Sequence, residues 1–600
     1  MSDQIEPAQA SALFLSAFFD ELVACGVRDV VVSPGSRSTP LAMVAHASSM
    51  NLYVDIDERG AAFFALGLAK ASGRPACVIC TSGTAVANYY PAVLEAESSR
   101  VPLIVLTGDR PPRLQNLGAP QTCDQLKIYG DHVRHFQQMP LPASRACDIA
   151  FARQMGITAF CKAAGSPAAT GEHGQPFYGC VGNAGPVHFN FPFDEPLKPD
   201  LSVGELFTAG RSAAAGTPVI TASSALSDQQ VKSIASLMSG RRTIALVGEG
   251  TCFSRAEAED VLAWARRQSI PLLADPLSGL RALDDECVID AYDYIFSHGE
   301  QPQIECVIRF GRYPVSKSCF TAVCASEHDG LESPVQIVVD AVDTRDFNAA
   351  TSMFVRCEPV TFARALIEVA DPWEAQKAYL QEWVARNEAA RSRVARSIEA
   401  SVCDELAIVA KTLELAPEGS LVFSANSLSI RLVDAVYRKS SKRLAMLCNR
   451  GLNGIDGTVS SALGAAQSYA QTTLVTGDLT MLHDLNALAL QAELLAHHGN
   501  AEAPSIVVVL LNNCGGGIFE TLPQKSDDPY FERLFITPQQ IDFEHTARAF
   551  GVPYRLATTI DELAEAYALQ LGVAGISLIE VPFEIEGLQK RYDRYRRHDG

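Results

Sequence analysis

Short runs of β-branched and aliphatic residues alternate along this chain with longer stretches in which apolar residues recur every three or four positions. A wholly apolar run bounded by turn residues suits a strand buried on both faces, and the longer stretches suit helices that cover it. The alternation predicts an α/β protein built of doubly wound, mostly parallel sheets. Asp29–Val32, Ala76–Cys80 and residues 101–106 read as strands, Ser33-Pro-Gly-Ser36 as an exit loop, and residues 60–70 as a helix with one apolar stripe. A Gly/Ala/Pro-rich insertion follows at 163–179, and the first unit closes around Gly185-Pro-Val-His-Phe-Asn-Phe-Pro-Phe-Asp194.

Residues 200–223 read as a linker, after which Thr243–Val247, 306–309 and Val335–Val339 supply strands of a second unit. Its Gly248-Glu-Gly250 turn half matches a dinucleotide fingerprint, with Phe253 where the third glycine would fall. A helix over 372–400 leads to a third unit that ends near Pro582. The expected division is 1–200, 201–400 and 401–600, with the outer two units alike in rhythm.

Composition narrows the function. Six hundred residues at 48% hydrophobic supply a core for each unit, which excludes disordered and fibrous classes. A net charge of −20 repels phosphate backbones and anionic lipid, so nucleic acid is not an expected partner. No apolar run approaches the roughly 18 residues of a membrane span. The start, Met1-Ser-Asp-Gln-Ile-Glu, lacks the basic and apolar segments of a secretory signal, so a cytoplasmic protein is expected. The 16 cysteines, many in apolar runs such as Cys77-Val-Ile-Cys80, read as core thiols.

The most informative chemistry lies in the last third. Leu474-Val-Thr-Gly-Asp478-Leu reads as a strand ending at Gly-Asp, followed by a helix over 481–497. Beyond a polar loop at 497–504, a strand over 506–511 ends at Asn512-Asn513-Cys-Gly515-Gly-Gly517. Two adjacent strand ends would then offer a carboxylate, an amide oxygen and a glycine-rich backbone at one sheet edge, where α/β ligands bind. These are hard oxygen ligands, and they suit a magnesium ion that holds a diphosphate. Four arginines, Arg37, Arg110, Arg431 and Arg450, fall near predicted strand ends, as does Gln121. A guanidinium fork suits carboxylates, so substrates with several carboxylates are expected.

Gly-Asp, helix, strand and Asn-Asn in this order resemble the metal and diphosphate motif of the thiamine diphosphate enzymes, although Leu479 stands where most of them have glycine. The resemblance implies that Asp478, the Asn513 side chain and the Gly515 carbonyl hold Mg2+ or Mn2+. It also implies that Glu58, in Asp57-Glu58-Arg-Gly60, is the catalytic glutamate that shuttles a proton at the pyrimidine ring. Gly454 and Ile455, in Asn453-Gly-Ile-Asp-Gly457, Leu479 and Ile518 would contact the coenzyme, Ile455 supporting its bent shape.

Ser33-Pro-Gly-Ser-Arg-Ser-Thr-Pro40, Thr107-Gly-Asp-Arg-Pro-Pro112 and Asn449-Arg-Gly-Leu-Asn-Gly-Ile-Asp-Gly457 are more specific. With Gly477-Asp-Leu479 they resemble, over nearly the whole chain, the 2-succinyl-5-enolpyruvyl-6-hydroxy-3-cyclohexene-1-carboxylate synthase family of menaquinone biosynthesis. That family decarboxylates 2-oxoglutarate and adds the succinyl group to isochorismate. Matching substrate-binding positions are Ser36, Arg37, Arg110, Gln121, Ser427, Arg431 and Arg450, with Phe519 and Leu522 on an apolar wall. Lys317 also matches, but Ser318 follows it where some members have a second basic residue. The resemblance further implies a homodimer or dimer of dimers in which Glu58 of one chain faces Asp478 and Asn513 of another. An acetolactate-synthase-like lyase or decarboxylase and a catalytically silent thiamine-fold protein are the competing readings. The presence of Glu58, Asp478 and Asn513 argues against the silent form.

Overall fold

The computed structural model describes residues 6–165, 183–211, 224–324, 333–369, 374–401, 403–499, 502–526 and 528–596. Three six-stranded sheets follow one another along the chain, and every strand pairing is parallel. The first contains β1 (Asp29–Val32), β2 (Asn51–Val54), β3 (Ala76–Cys80), β4 (Leu103–Asp109), β5 (His135–Gln138) and β6 (Pro186–Pro192) in the order β2-β1-β3-β4-β6-β5. The second contains β7 (Thr243–Val247), β8 (Leu272–Ala274), β9 (Val288–Ile289), β10 (Cys306–Phe310), β11 (Val335–Val339) and β12 (Met353–Val355), ordered β12-β11-β10-β7-β8-β9. The third contains β13 (Leu421–Ser424), β14 (Ala445–Leu447), β15 (Gln471–Gly477), β16 (Ser505–Asn512), β17 (Tyr554–Leu556) and β18 (Gly575–Pro582), ordered β14-β13-β15-β16-β18-β17.

The outer sheets therefore share one strand order, while the central sheet has the other common doubly wound order. Central strands such as β3, β4 and β16 are buried along their whole length, as apolar runs between helical layers must be. Among the described residues no helix is long and apolar enough to cross a membrane. Cys77 and Cys80 are free thiols buried in β3.

Two helices join the outer units within one chain. Helix Glu58–Ser72 starts at the Asp57 cap, whose side chain accepts from the Gly60 N–H, and stops at Gly73 with φ 67°. It crosses helix Thr458–Ala466 so closely that a Cβ on Gly67 would lie 2.0 Å from the Ser461 carbonyl oxygen. A Cβ on Gly464 would lie equally close to the Phe64 carbonyl oxygen. Phe63, Phe64, Val459 and Leu463 share one apolar core around this crossing.

The structure corrects several element boundaries. The helix expected over 481–497 is broken into Asp478–His483, a 3-10 segment at Leu485–Ala489, and Leu490–His498. The break falls at Asp484, whose buried carboxylate accepts from the N–H and hydroxyl of Ser460 at 2.7 and 3.1 Å and so caps a different helix. Strand β4 begins after Pro102, which has no N–H to donate, and runs on to Asp109. Of the helix expected over 372–400, the described part is helical over Glu374–Glu399. Most of the 163–179 insertion and the second half of the 200–223 linker lie outside the described residues. The Gly248-Glu-Gly250 turn is occupied by protein: a Cβ on Gly248 would meet the Arg312 carbonyl oxygen at 1.8 Å, and Glu249 pairs with Lys70 at 2.9 Å.

Candidate active site

At the carboxyl edge of the third sheet, β15 and β16 run side by side in register up to Gly477 opposite Leu511. Asp478 and Asn513 therefore follow neighbouring strand ends. Asp478 opens the short helix Asp478–His483 and is 3% exposed. Its carboxylate accepts backbone N–H groups from Leu479 and Gly515, so the two strand ends are tied together. Burial nevertheless pushes its carboxyl up to about 6, outweighing those hydrogen bonds. Its Oδ2 and the Oδ1 of Asn513 are both buried and lack a hydrogen-bond partner.

Two unpaired acceptors at one sheet edge carry a desolvation cost that a divalent cation would offset. The donor set, a carboxylate and an amide oxygen beside backbone carbonyls, is of the hard type that such a cation takes. The turn that follows leaves little room for side chains. A Cβ on Gly515 would meet the Ile536 carbonyl oxygen at 2.5 Å, and one on Gly516 would come as near to that of Phe535. Cys514 takes a left-handed conformation with φ 59°, and its N–H donates 3.0 Å to Asn512 Oδ1. The residues present thus fit a metal-held diphosphate. Ile518 and Phe519 lie in the 3-10 turn Gly517–Thr521, with Leu522 next along the chain. The Phe519 ring packs on Phe535 with centroids 5.4 Å apart.

The loops after β13 and β14 add the remaining residues of this half. Asn426 follows β13 and organises the region: its Nδ2 donates to the carbonyls of Asn449 and Gly454 at 2.6 and 2.7 Å, and its Oδ1 accepts from Arg450 at 3.0 Å. Ile455 is half-buried next to Gly454. Ser427 is left-handed at φ 65°, and its carbonyl accepts from the Arg431 guanidinium.

A second cluster lies at the carboxyl edge of the first sheet. Ser36 and Arg37 form a turn after β1 that rests on Thr81 after β3, whose hydroxyl accepts from the Arg37 N–H at 3.1 Å. Gly108 in β4 lets this turn close in, since a Cβ there would stand 2.6 Å from the Arg37 carbonyl oxygen. Arg110 donates to Ser82 Oγ at 3.1 Å and to the Pro120 carbonyl at 2.8 Å, and Ser82 in turn donates 2.9 Å to the Gln121 carbonyl. Burial and the Arg110 charge hold the Arg37 guanidinium below the usual arginine range. Arg37 also donates to the Phe193 carbonyl at 3.0 Å and pairs with the exposed Glu195 at 3.5 Å. Glu58, half-buried at its helix start, accepts 3.0 Å from Asn88 Nδ2.

The structure thus brings Ser36, Arg37, Arg110 and Gln121 into one group. It brings Ser427, Arg431, Arg450, Gly454, Ile455, Asp478, Leu479, Asn513, Gly515, Ile518, Phe519 and Leu522 to the carboxyl edge of the third sheet. Among the described residues, no hydrogen bond or ion pair joins Glu58 to Asp478 or Asn513 within one chain. Lys317 is exposed at the start of helix Lys317–Cys324 in the central unit. It stands two residues past Val315, whose N–H donates 2.7 Å to Asp275, a carboxylate that also feels the Arg450 charge. Asn426, Ser82 and Asn88 were not singled out in the sequence. The polar turns Ala425-Asn-Ser and Thr81-Ser-Gly, directly after buried strands, are the signal that could have found the first two.

Comparisons with known proteins point to one family. Residues 14–128 match the thiamine pyrophosphate enzyme N-terminal TPP binding domain, and residues 431–581 match the C-terminal TPP binding domain. Of solved structures, the benzoylformate decarboxylase of Polynucleobacter necessarius superposes with a TM-score of 0.68 at 16% identity, covering 96% of this chain and 99% of that one; the likeness is one of fold. The 2-succinyl-5-enolpyruvyl-6-hydroxy-3-cyclohexene-1-carboxylate synthase of Listeria monocytogenes is 39% identical over 95% of this chain and 94% of its own. The enzyme of the same name from Geobacillus thermodenitrificans is 39% identical over 95% and 93%. With both domains matched and near-full-length identity at this level, the chain belongs to the 2-succinyl-5-enolpyruvyl-6-hydroxy-3-cyclohexene-1-carboxylate synthase family of thiamine pyrophosphate enzymes.

Proposed function

We propose that this chain is the transferase its relatives are named for: it decarboxylates 2-oxoglutarate and adds the succinyl carbanion equivalent to isochorismate, with thiamine diphosphate and Mg2+ or Mn2+. It acts in the cytoplasm. The unit at 1–200 takes the pyrimidine end of the coenzyme, the unit at 401–600 its diphosphate, and the unit at 201–400 lies between them. The reading rests above all on the buried, unpaired Oδ2 of Asp478 and Oδ1 of Asn513 at neighbouring strand ends.

When bound, thiamine diphosphate supplies the electron sink that makes loss of carbon dioxide from a 2-oxo acid feasible. Asp478, Asn513 and the Gly515 carbonyl would hold its metal, and the Gly515–Gly516 turn can carry only glycine because neighbouring carbonyls fill both Cβ positions. Glu58 holds and releases a proton at the pyrimidine end, its carboxylate oriented by Asn88. Arg37 and Arg110 bind substrate carboxylates from one side, Arg431 and Arg450 from the other, with Ser36, Gln121, Ser427 and Lys317 completing the contacts. Ile518, Phe519 and Leu522 form an apolar wall that excludes water from the reacting carbons. So many fixed guanidinium groups exceed what an acetolactate-synthase-like lyase of small 2-oxo acids would need.

The two clusters form one centre across two chains of a homodimer or dimer of dimers. Large apolar side chains are exposed beside both: Ile56 at 79% near Glu58, Leu117 at 77% and Leu126 near Gln121, and Leu452 next to Arg450. The two-chain reading expects a partner to cover these side chains.

Loss of isochorismate absorbance, measured with purified protein, thiamine diphosphate and Mg2+, tests the function. Consumption that requires 2-oxoglutarate and releases carbon dioxide is expected. Pyruvate decarboxylation with isochorismate left intact would favour the small-acid lyase, and no turnover of either would favour the silent form.

A further inference from the structure

The loop that carries Arg450 is gripped from all three units, and the strongest grip comes from a residue with no place in the chemistry above. Glu95, in helix Tyr90–Ser99 of the first unit, is only 4% exposed. Its Oε1 accepts the Gly451 N–H at 2.7 Å and its Oε2 the Leu452 N–H at 2.8 Å, so one carboxylate holds two consecutive backbone donors. The Gly451 carbonyl is held too, by Ser98 Oγ and by Arg312 of the central unit, each at 2.8 Å. Lys70 donates to the Cys448 carbonyl on the near side of the loop. Gly451 permits this approach, because a Cβ there would stand 2.5 Å from Glu95 Oε2 and 2.6 Å from Ser99 Oγ.

Both peptide groups that follow Arg450 are therefore fixed by the first and central units, while its guanidinium is aimed by Asn426 of the third. A buried carboxylate is costly unless fully hydrogen-bonded, and here two backbone N–H groups and the Ser99 hydroxyl at 2.7 Å meet it. The arrangement spends a buried charge on the placement of one loop.

We propose that Glu95 is a positioning residue for Arg450: by clamping the Gly451–Leu452 backbone it sets the guanidinium where a substrate carboxylate binds. This deepens the substrate-binding reading of Arg450 and rests on it. Glu95→Gln retains one acceptor but turns an amide donor toward the second backbone N–H, so the loop loses its fixed seat without a change in volume.

The test is steady-state kinetics on the holoenzyme for both substrates with Arg450→Lys, Glu95→Gln, Glu95→Asp and the double variant Glu95→Gln/Arg450→Lys, alongside coenzyme titration. Glu95→Gln should raise KM for the same substrate as Arg450→Lys, by roughly 5- to 20-fold, with thiamine diphosphate affinity unchanged within about 2-fold. Glu95→Asp, which keeps both acceptor oxygens, should recover most of the loss. The double variant should be no more than about 2-fold worse than Arg450→Lys, because residues that act through one another are not additive. If Arg450→Lys raises that KM and Glu95→Gln does not, or if the two effects multiply, Glu95 does not act through Arg450. If Arg450→Lys itself leaves both KM values unmoved, the substrate reading of Arg450 falls and the positioning role with it. Should Glu95→Gln fail to fold, Ser98→Ala removes a second holder of Gly451, and an unchanged KM in that variant would overturn the proposal.

Discussion

A Cβ on Gly67 would lie 2.0 Å from the carbonyl oxygen of Ser461, so the helix that begins with Glu58 and the helix that follows Ile455 touch backbone to backbone. This contact sets the relative position of the two outer sheets in one chain, and hence the direction in which each presents its cluster of polar residues.

Gly67→Ala should accordingly destabilise the protein by about 1–3 kcal/mol, since the group in the way is main chain and cannot rotate aside. Thermal or denaturant unfolding would show it. Gly204→Ala, where nothing lies within 4 Å, should leave the midpoint unchanged and serves as the control.

Asp478→Asn should weaken metal-dependent coenzyme binding by about 10-fold or more, because an amide keeps the shape and loses the charge that would face the proposed divalent cation. Thiamine diphosphate titration with and without Mg2+ reads the effect directly. Unchanged affinity and metal dependence would take Asp478 out of the metal's coordination.

Arg110→Lys should raise KM for one carboxylate substrate by roughly 10-fold and leave coenzyme affinity alone, since an ammonium cannot reproduce a planar fork. Its present hydrogen bonds to Ser82 and the Pro120 carbonyl also fix the turn that holds Gln121. Kinetics indistinguishable from those of the parent protein would return Arg110 to an ordinary surface role.

Asp55 gives a pH dependence with a definite sign. It is 4% exposed with an unpaired Oδ2, and burial pushes its carboxyl up to about 7 from an ordinary 3.8. The folded coenzyme-free chain therefore keeps a proton that the unfolded chain has already lost. The stability due to that proton is complete below the ordinary value and disappears as pH rises through about 7. Asp55→Asn still offers an oxygen to the Asp57 N–H, which now donates 3.0 Å to Oδ1. It should stabilise the coenzyme-free protein by about 1–3 kcal/mol at pH 8 and hardly at all at pH 4. Equal effects at both pH values would contradict the assignment.

Much of the fold is legible in the chain because buried parallel strands are apolar throughout and end abruptly. Asp29–Val32, Ala76–Cys80, Thr243–Val247 and Val335–Val339 have the same bounds in sequence and structure. The division of 481–497 into separate helical pieces was not legible, since Asp484 leaves its local helix to cap Ser460, and no local pattern announces a partner 24 positions away. Edge strands such as β5 and β17 are short and only partly buried, so they lack the signal of the central strands. In the site, Asp478 and Asn513 are readable because their glycine-rich turns follow strong strands. The joining of Arg37 to Arg110 through Gly108, and of Glu95 to the Arg450 loop, depends on packing between units. Glu95 reads in sequence as an ordinary helix acid.

Mixing inactive variants tests most directly the proposed union of the two clusters in one centre across two chains. Glu58→Gln removes the proposed proton-handling carboxylate and Asp478→Ala the proposed metal ligand, so each protein alone should be inactive. After dissociation and reassociation, random pairing makes about half the dimers mixed, each with one intact site of two, so activity should return to roughly a quarter of the unmodified level. A labelled-subunit control shows that exchange took place. Recovery near that level is the expected result, and no recovery despite complete exchange would mean that Glu58 and Asp478 serve the same site within a single chain.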